Sequence, residues 1–286
     1  MKSCKIIAEV CRNDFRKWGR NYRIYCIAVI ILLLTHMYTE GFRTFIQQTG
    51  VKMSPWIFPT LFDDKYKKIF LMVPLVILFS DAPFIDKNEP YCLIRMGRIR
   101  WCLGQILYIV VSSAVYYAFI IASTIIVNIR YITWQSDWGK VITTLAKTTA
   151  AQDLQLDQTV SDKLIDYFSG PQAMWFTFLL LWMSGIFIGF VLMALNVVTQ
   201  TKTIGVFAAL FFLLFDATLD GFAWIGAGNL KWISPVSWGL LKNIRVGFDT
   251  YYPSFGYVIG MFLLLYFFMI IVTVVVFRKR TIRVIK

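Results

Sequence analysis

The chain contains six stretches of mostly apolar residues that are long enough to cross a lipid bilayer. They dominate a sequence of 286 residues that is 58% hydrophobic and only 16% charged, which is more apolar surface than a soluble core could cover. A helix of about 20 apolar residues matches a hydrocarbon layer about 30 Å thick. The sequence therefore predicts an all-α integral membrane protein. Its six transmembrane helices are expected at residues 24–38, 69–84, 101–127, 173–198, 204–219 and 256–277.

The distribution of Lys and Arg predicts the orientation of these helices. Segment 69–84 is the weakest of the six, because its uninterrupted apolar run stops at Phe79, before Ser80 and Asp81. When it is counted as a span, one set of connecting segments holds 17 of the 29 basic residues. This set consists of residues 1–23, 85–100, 199–203 and 278–286. Under the positive-inside rule, we expect these segments and both termini to be cytoplasmic.

Residues 1–23 are predicted to form an amphipathic interfacial helix that precedes a transmembrane domain at 24–286. The apolar stripe of this helix contains Ile7, Cys11, Phe15, Trp18 and Tyr22. A neighbouring basic stripe contains Arg12, Arg16, Arg20 and Arg23. Such a helix lies in the membrane interface. It is expected either to anchor the chain or to act as an elbow that also touches a cytoplasmic partner.

A short helix is predicted in the cytoplasmic loop at 85–100. Glu89 and Pro90 favour a helix start, and Gly97 favours its end, because glycine tolerates the backbone conformation found there. Arg95, Arg98 and Arg100 follow, either as topology markers or as a docking surface. Before this loop, Asp81 is expected to cap or bend the second span.

Two segments are predicted to lie outside the cell. Residues 128–172 form a polar loop that we expect to be partly helical. Residues 220–255 are rich in glycine and aromatic residues, which favours short re-entrant helices that dip into the outer leaflet. An aromatic loop on the surface is the alternative for this second segment.

The residues of common catalytic sites are missing from the sequence. His36 is the only histidine, which excludes clustered histidine metal sites and Ser–His or Cys–His pairs. Gly139 and Lys140 lack the surrounding residues of a phosphate-binding loop. We therefore expect neither enzyme activity nor a cofactor in this chain. The net charge of +13 is explained by anionic lipid headgroups beside the spans rather than by nucleic acid.

Two carboxylates stand out at the outer end of the fifth predicted span. Asp216 and Asp220 are four residues apart and so share one helix face. They are expected either to line an outer part of a substrate pathway or to lie at headgroup level, where a carboxylate is easily hydrated.

The order of these features resembles the type-2 family of ABC transporter permeases, six-span subunits that pair with separate ATPase subunits. The resemblance covers nearly the whole chain. It is carried by Glu89 to Arg95 with Gly97, Arg98 and Arg100, by Trp101, Leu103, Gly104 and Gln105, and by Ser234 to Trp238. Gln105 stands where the family usually has lysine.

In that family the loop helix is a coupling helix that sits in a groove of the ATPase. The resemblance implies this role for Glu89, Tyr91, Leu93, Ile94, Arg95 and Arg98. ATP and Mg²⁺ would then bind to the partner ATPase, and a second permease copy or a paralogue would complete the transporter. The resemblance further implies a bacterial plasma-membrane exporter whose cargo is amphipathic or apolar, such as a peptide, an antimicrobial or a lipid-like molecule.

A different class of protein would explain the same charge distribution. A non-transporting scaffold or sensor could use the basic loops to recruit cytoplasmic partners or anionic lipid. Only the transporter predicts an ATPase that co-purifies with the chain.

Overall fold

A computed structural model describes residues 2–84, 96–154, 156, 160–219, 231–245 and 252–279. Most of them are helical, and this part of the chain has no β-strand, only an isolated parallel bridge between Met53 and Ile132. The predicted all-helical fold is therefore confirmed. The helices are α1 (Lys2–Arg16), α2 (Tyr22–Tyr38), α3 (Glu40–Thr49), α4 (Phe58–Leu61), α5 (Lys65–Phe79), α6 (Arg98–Asn128), α7 (Gly139–Lys147), α8 (Ala150–Asp153), α9 (Asp162–Tyr167), α10 (Gly170–Thr199), α11 (Lys202–Thr218) and α12 (Phe255–Lys279).

A helix of at least 15 residues lies at the position of each predicted span. Within the described residues, α6, α10 and α12 are long and apolar enough to cross a membrane. The N-terminal helix and α2 give a fourth candidate if they are counted together, although they are bent by 74° at their junction. Helices α5 and α11 have 15 and 17 residues, or about 22 and 26 Å.

Helix α5 starts and ends earlier than the predicted segment 69–84. It starts at Lys65 because the side chain of Asp64 accepts hydrogen bonds from the backbone N–H groups of Tyr66 and Lys67. It ends at Phe79, so that Asp81 lies in the turn that follows. The expectation that Asp81 caps or bends this helix is therefore wrong.

Helix α10 is the centre of the bundle and packs against α5, α6, α11 and α12. In its most apolar window 78% of the residues are buried, compared with 17% in α12. Two glycines let neighbouring side chains approach closely. A Cβ atom on Gly189 would lie 2.4 Å from Ile109, and one on Gly185 would lie 2.9 Å from Tyr117. Small residues at helix interfaces are typical of membrane bundles.

Short helices cover the end of the bundle where α2 ends and α10 begins. We call this layer the cap, and it consists of the described residues of 39–64 and 129–169. Its two halves are joined by hydrogen bonds from Ser54 Oγ to the carbonyl of Trp138 (2.7 Å) and from Trp56 Nε1 to that of Gln135 (2.9 Å). Helices α7, α8 and α9 confirm that the polar loop 128–172 is partly helical.

Residues 231–245 fold into the bundle instead of forming a surface loop. They contain two 3-10 turns, Ser237–Gly239 and Leu241–Asn243. Trp238 is 1% exposed and packs edge-on against Phe262 of α12. The hydroxyl of Ser184, at the middle of α10, donates to the carbonyl of Pro235 (3.3 Å). Most of residues 234–244, in the described part of the predicted re-entrant segment, are therefore buried irregular backbone.

Candidate functional site

The predicted coupling residues lie mostly beyond the described ranges. Only Arg98 is described, as the first residue of α6. The others are Glu89, Tyr91, Leu93, Ile94 and Arg95. Met96 is helical, and Gly97 has φ 86° and ψ 140°, a conformation that glycine reaches at little cost. Gly97 therefore allows α6 to begin at Arg98, whereas the helix predicted before it lies outside the described residues apart from Met96.

Asp81 joins the turn after α5 to two helices. Its carboxylate accepts hydrogen bonds from the guanidinium of Arg23 at the start of α2 and from the ammonium of Lys202 at the start of α11 (2.9 Å). These three side chains are between 37% and 41% exposed. Because water screens exposed ion pairs, these contacts orient the turn after α5 but contribute little to the stability of the fold.

Helix α1 is held against α6 by a buried polar contact. Asp14 is 4% exposed and accepts hydrogen bonds from Gln105 Nε2 (2.7 Å) and from the ammonium of Lys17 (2.8 Å). Gln105 is the position that departs from the family pattern, and here its amide satisfies a buried carboxylate. The indole N–H of Trp18 donates to the hydroxyl of Tyr108 (2.8 Å). Helix α1 is therefore docked on the bundle and is more than a surface anchor.

Aromatic and small side chains complete this contact. A Cβ atom on Gly104 would lie 2.5 Å from the Cβ of Val10, so α1 and α6 approach as closely as glycine permits. Phe84 packs edge-on against Tyr108, with ring centroids 4.8 Å apart. Phe84 and Gly97, described residues on either side of residues 85–95, both lie next to α6. We call the surrounding group the elbow cluster, which consists of Asp14, Trp18, Arg23, Asp81, Gln105, Tyr108 and Lys202.

Asp216 lies at the opposite end of the bundle, where it forms an ion pair with Lys68. Asp216 is 6% exposed and Lys68 is fully buried. The Lys68 ammonium also donates to the carbonyl of Val236, in the buried segment 231–245 (3.0 Å). Asp216 borders a polar cleft of about 260 Å³ that Lys231 also lines. Asp220 lies outside the described residues.

Sequence reasoning missed Lys68 because it assigned this residue to the polar segment before the second span. A lysine directly before an apolar run usually reaches water with its ammonium group. Lys68 does not, because Asp64 starts the helix earlier and turns Lys68 inward. The position of Asp64 as a helix cap was the available signal.

The described residues contain no group of three or more His, Cys, Asp or Glu side chains that could hold a metal ion. His36 accepts a hydrogen bond at Nδ1 from Arg43 (2.8 Å), which also donates to the His36 carbonyl (2.7 Å). This contact links α2 to α3.

No protein-family model matches the chain, and no curated protein matches it. The class of protein therefore rests on the structure of the described residues. It is an all-helical protein with three to four helices that are long and apolar enough to cross a membrane.

Proposed function

We propose that this chain is the permease subunit of an ATP-driven ABC exporter in a bacterial plasma membrane. It works with separate ATPase subunits, which bind ATP and Mg²⁺, and with a second permease copy or paralogue. The elbow cluster carries this proposal. It joins side chains from α1, α2, α6 and α11 to the turn that follows α5, so in this proposal a displacement of the coupling segment next to that turn moves four helices together.

The pairing of α5 with α11 supports six membrane crossings. Helix α11 follows α10 after a turn at Gln200, whose φ of 58° ends α10, and the two helices pack against each other. Helices α5 and α11 are then joined by an ion pair near each end, Lys68–Asp216 and Asp81–Lys202. The two ion pairs are about 20 Å apart along either helix. In this proposal both short helices cross the same apolar layer as α10.

The basic residues at the α1 end of the bundle support a cytoplasmic location for that end. In this orientation the 85–95 loop meets the ATPase, with Glu89, Tyr91, Leu93, Ile94, Arg95 and Arg98 as the contacting residues. The cap and the Asp216 cleft face outward, where Asp216 and Asp220 border the exit of the pathway.

The exposed faces of α11 and α12 support an apolar or amphipathic cargo. Phe207 and Phe211 on α11 are 68% and 62% exposed, as are Phe267 and Phe268 on α12 at 68% and 58%. Such faces suit a second permease, lipid, or a hydrophobic peptide, antimicrobial or lipid-like substrate better than a sugar polymer.

Co-purification and ATPase turnover test the proposal. The full chain, purified from its own membrane in mild detergent, should bring with it an ATPase that has a phosphate-binding loop. Glu89→Ala and Arg98→Ala should lower the turnover of that complex, because both remove charges from the coupling surface. Arg130→Ala is the matched control, since Arg130 is exposed beyond the other end of α6 and should leave turnover unchanged.

Two results would contradict the proposal. One is the absence of any ATPase from the purified complex, and the other is unchanged turnover in both coupling variants. Either would favour the scaffold or sensor, for which the basic loops serve recruitment alone.

A further inference from the structure

A polar cleft of about 400 Å³ opens between the junction of α1 with α2 and the ends of α5 and α11. Its charged lining residues are Asp14, Lys17, Arg20, Arg23, Asp81 and Lys202. Four of these carry a positive charge and two a negative charge, which leaves an excess of two positive charges. The cleft is therefore suited to an anion.

Both carboxylates in this cleft already have partners. Asp14 is held by Gln105 and Lys17, and Asp81 by Arg23 and Lys202, so neither carboxylate has to be met by a ligand. Arg20 is exposed and forms no ion pair with any residue in the described ranges. A guanidinium group can donate two parallel hydrogen bonds to a phosphate, which makes Arg20 the main candidate donor.

An apolar groove of about 160 Å³ continues from the cleft along α2 and α6. The cleft and the groove share the lining residues Trp18, Ile24 and Leu78, so they lie directly next to each other. The remaining groove residues are Ile27, Ala28, Ile31, Val115, Tyr116 and Phe119. An apolar cavity of about 150 Å³ stays dry and holds a molecule of the size of benzene. The groove therefore accepts a segment of an alkyl chain and excludes a polar headgroup.

We propose that the cleft and the groove together bind one anionic glycerophospholipid. Its phosphate lies in the cleft near Arg20 and Lys202, and one acyl chain lies in the groove between α2 and α6. Trp18 stands where headgroup and chain meet, which is the depth that indole rings favour in membranes. A free phosphate would fill only the cleft, and an apolar peptide only the groove. This inference depends on a membrane location and is independent of the ATPase.

Binding of defined lipids to the purified, delipidated full chain tests this site. Native mass spectrometry would be used to titrate phosphatidylglycerol, which is anionic, and phosphatidylcholine, which has no net charge. Phosphatidylglycerol should bind more tightly. Arg20→Ala should weaken its binding about fivefold, as expected for one cation near a lipid phosphate. Arg130→Ala, which removes an exposed cation far from the cleft, should leave binding unchanged.

A second variant tests the groove without altering charge. Ala28→Phe places a ring in the groove and should weaken phosphatidylglycerol binding, whereas Ala118→Phe, on an exposed position of α6, should not. Equal binding of the two lipids together with no effect of Arg20→Ala would overturn the proposal. So would tight binding of inorganic phosphate that Ala28→Phe leaves unchanged, because the ligand would then be a soluble anion.

Discussion

The ammonium of Lys68 at the start of α5 and the carboxylate of Asp216 near the end of α11 form a buried ion pair. At the other end of the same two helices, the pair of Asp81 with Lys202 is more than a third exposed. Breaking a buried pair leaves one charge without a partner in a medium of low polarity, whereas water replaces either partner of an exposed pair. The ion pair at the cap end therefore holds the two helices together more strongly than the ion pair at the elbow end.

Removing one partner of the buried pair should destabilise the protein strongly. We expect Lys68→Met or Asp216→Leu alone to cost about 3 to 5 kcal/mol, and the double variant to recover most of this loss because no buried charge remains. The melting temperature of the detergent-purified protein, followed by Trp fluorescence, measures the effect. The exposed Lys147–Asp166 pair in the cap is the control, and the same substitutions there should leave the melting temperature almost unchanged. A double variant as unstable as the worse single variant would show that packing, and not charge pairing, holds this region.

Enlarging Gly104 should push α1 away from α6. A Cβ at this position overlaps Val10, so we expect Gly104→Ala to destabilise the contact by about 1 to 3 kcal/mol. Protease cleavage within residues 1–20 measures the release of α1. Gly260→Ala is the control, because nothing lies within 4 Å of a Cβ at Gly260, and it should not increase cleavage. If the native chain and Gly104→Ala are cleaved equally, α1 accommodates the added methyl group without losing its contact with α6.

The cap should lose stability as pH rises through the mildly acidic range. Burial raises the pKa of the Asp63 carboxyl by more than Lys242 and the N–H of Ser161 lower it. The folded state therefore holds this proton at pH values where the unfolded chain has lost it, and stability falls between the ordinary pKa of about 4 and the raised one. Asp63→Asn cannot titrate, so the melting temperature of this variant should rise relative to that of the native protein as the pH increases above about 4. A difference that stays constant, or that moves the other way, would show that Lys242 dominates the environment of Asp63.

The two ends of α6 should be accessible from opposite sides of the membrane. In a variant whose five native cysteines are replaced by serine, Arg98→Cys should react with a membrane-impermeant maleimide only after the cells are opened. Lys140→Cys, in the cap, should react in intact cells. Labelling of Arg98→Cys in intact cells would place this end of α6 outside the cell and contradict the proposed orientation.

The long helices could be predicted from the sequence because continuous apolar runs define them with little dependence on neighbours. Helix α5 was placed less accurately, since its start depends on the cap formed by Asp64 and its apolar run is short. Which polar side chains contact each other between helices could not be predicted from the sequence. The contact between Asp14 and Gln105 joins residues 91 positions apart, and that between Lys68 and Asp216 joins residues 148 positions apart.

The elbow cluster shows the same limit at the candidate site. The spacing of apolar and basic residues in α1 indicates an interfacial helix, and this alone is compatible with a free surface anchor. Docking depends on Gly104 being small and on Gln105 reaching Asp14, two facts that a helical pattern does not contain. The expected role of Asp81 was inferred from the nearby Pro83. Its partners in the structure, Arg23 and Lys202, lie at the starts of α2 and α11.

The docking of α1 on α6 determines the order in which these contacts can form during synthesis of the chain. Asp14 is hydrogen-bonded to Gln105, and Trp18 to Tyr108. Gln105 and Tyr108 emerge from the ribosome about 90 residues later, or roughly 5 to 20 s at ordinary rates of translation. Until then Asp14 has to remain hydrated, and α1 has to stay at the surface of the bilayer. Asp14 and Trp18 thus reach their final contacts only after α6 has been synthesised.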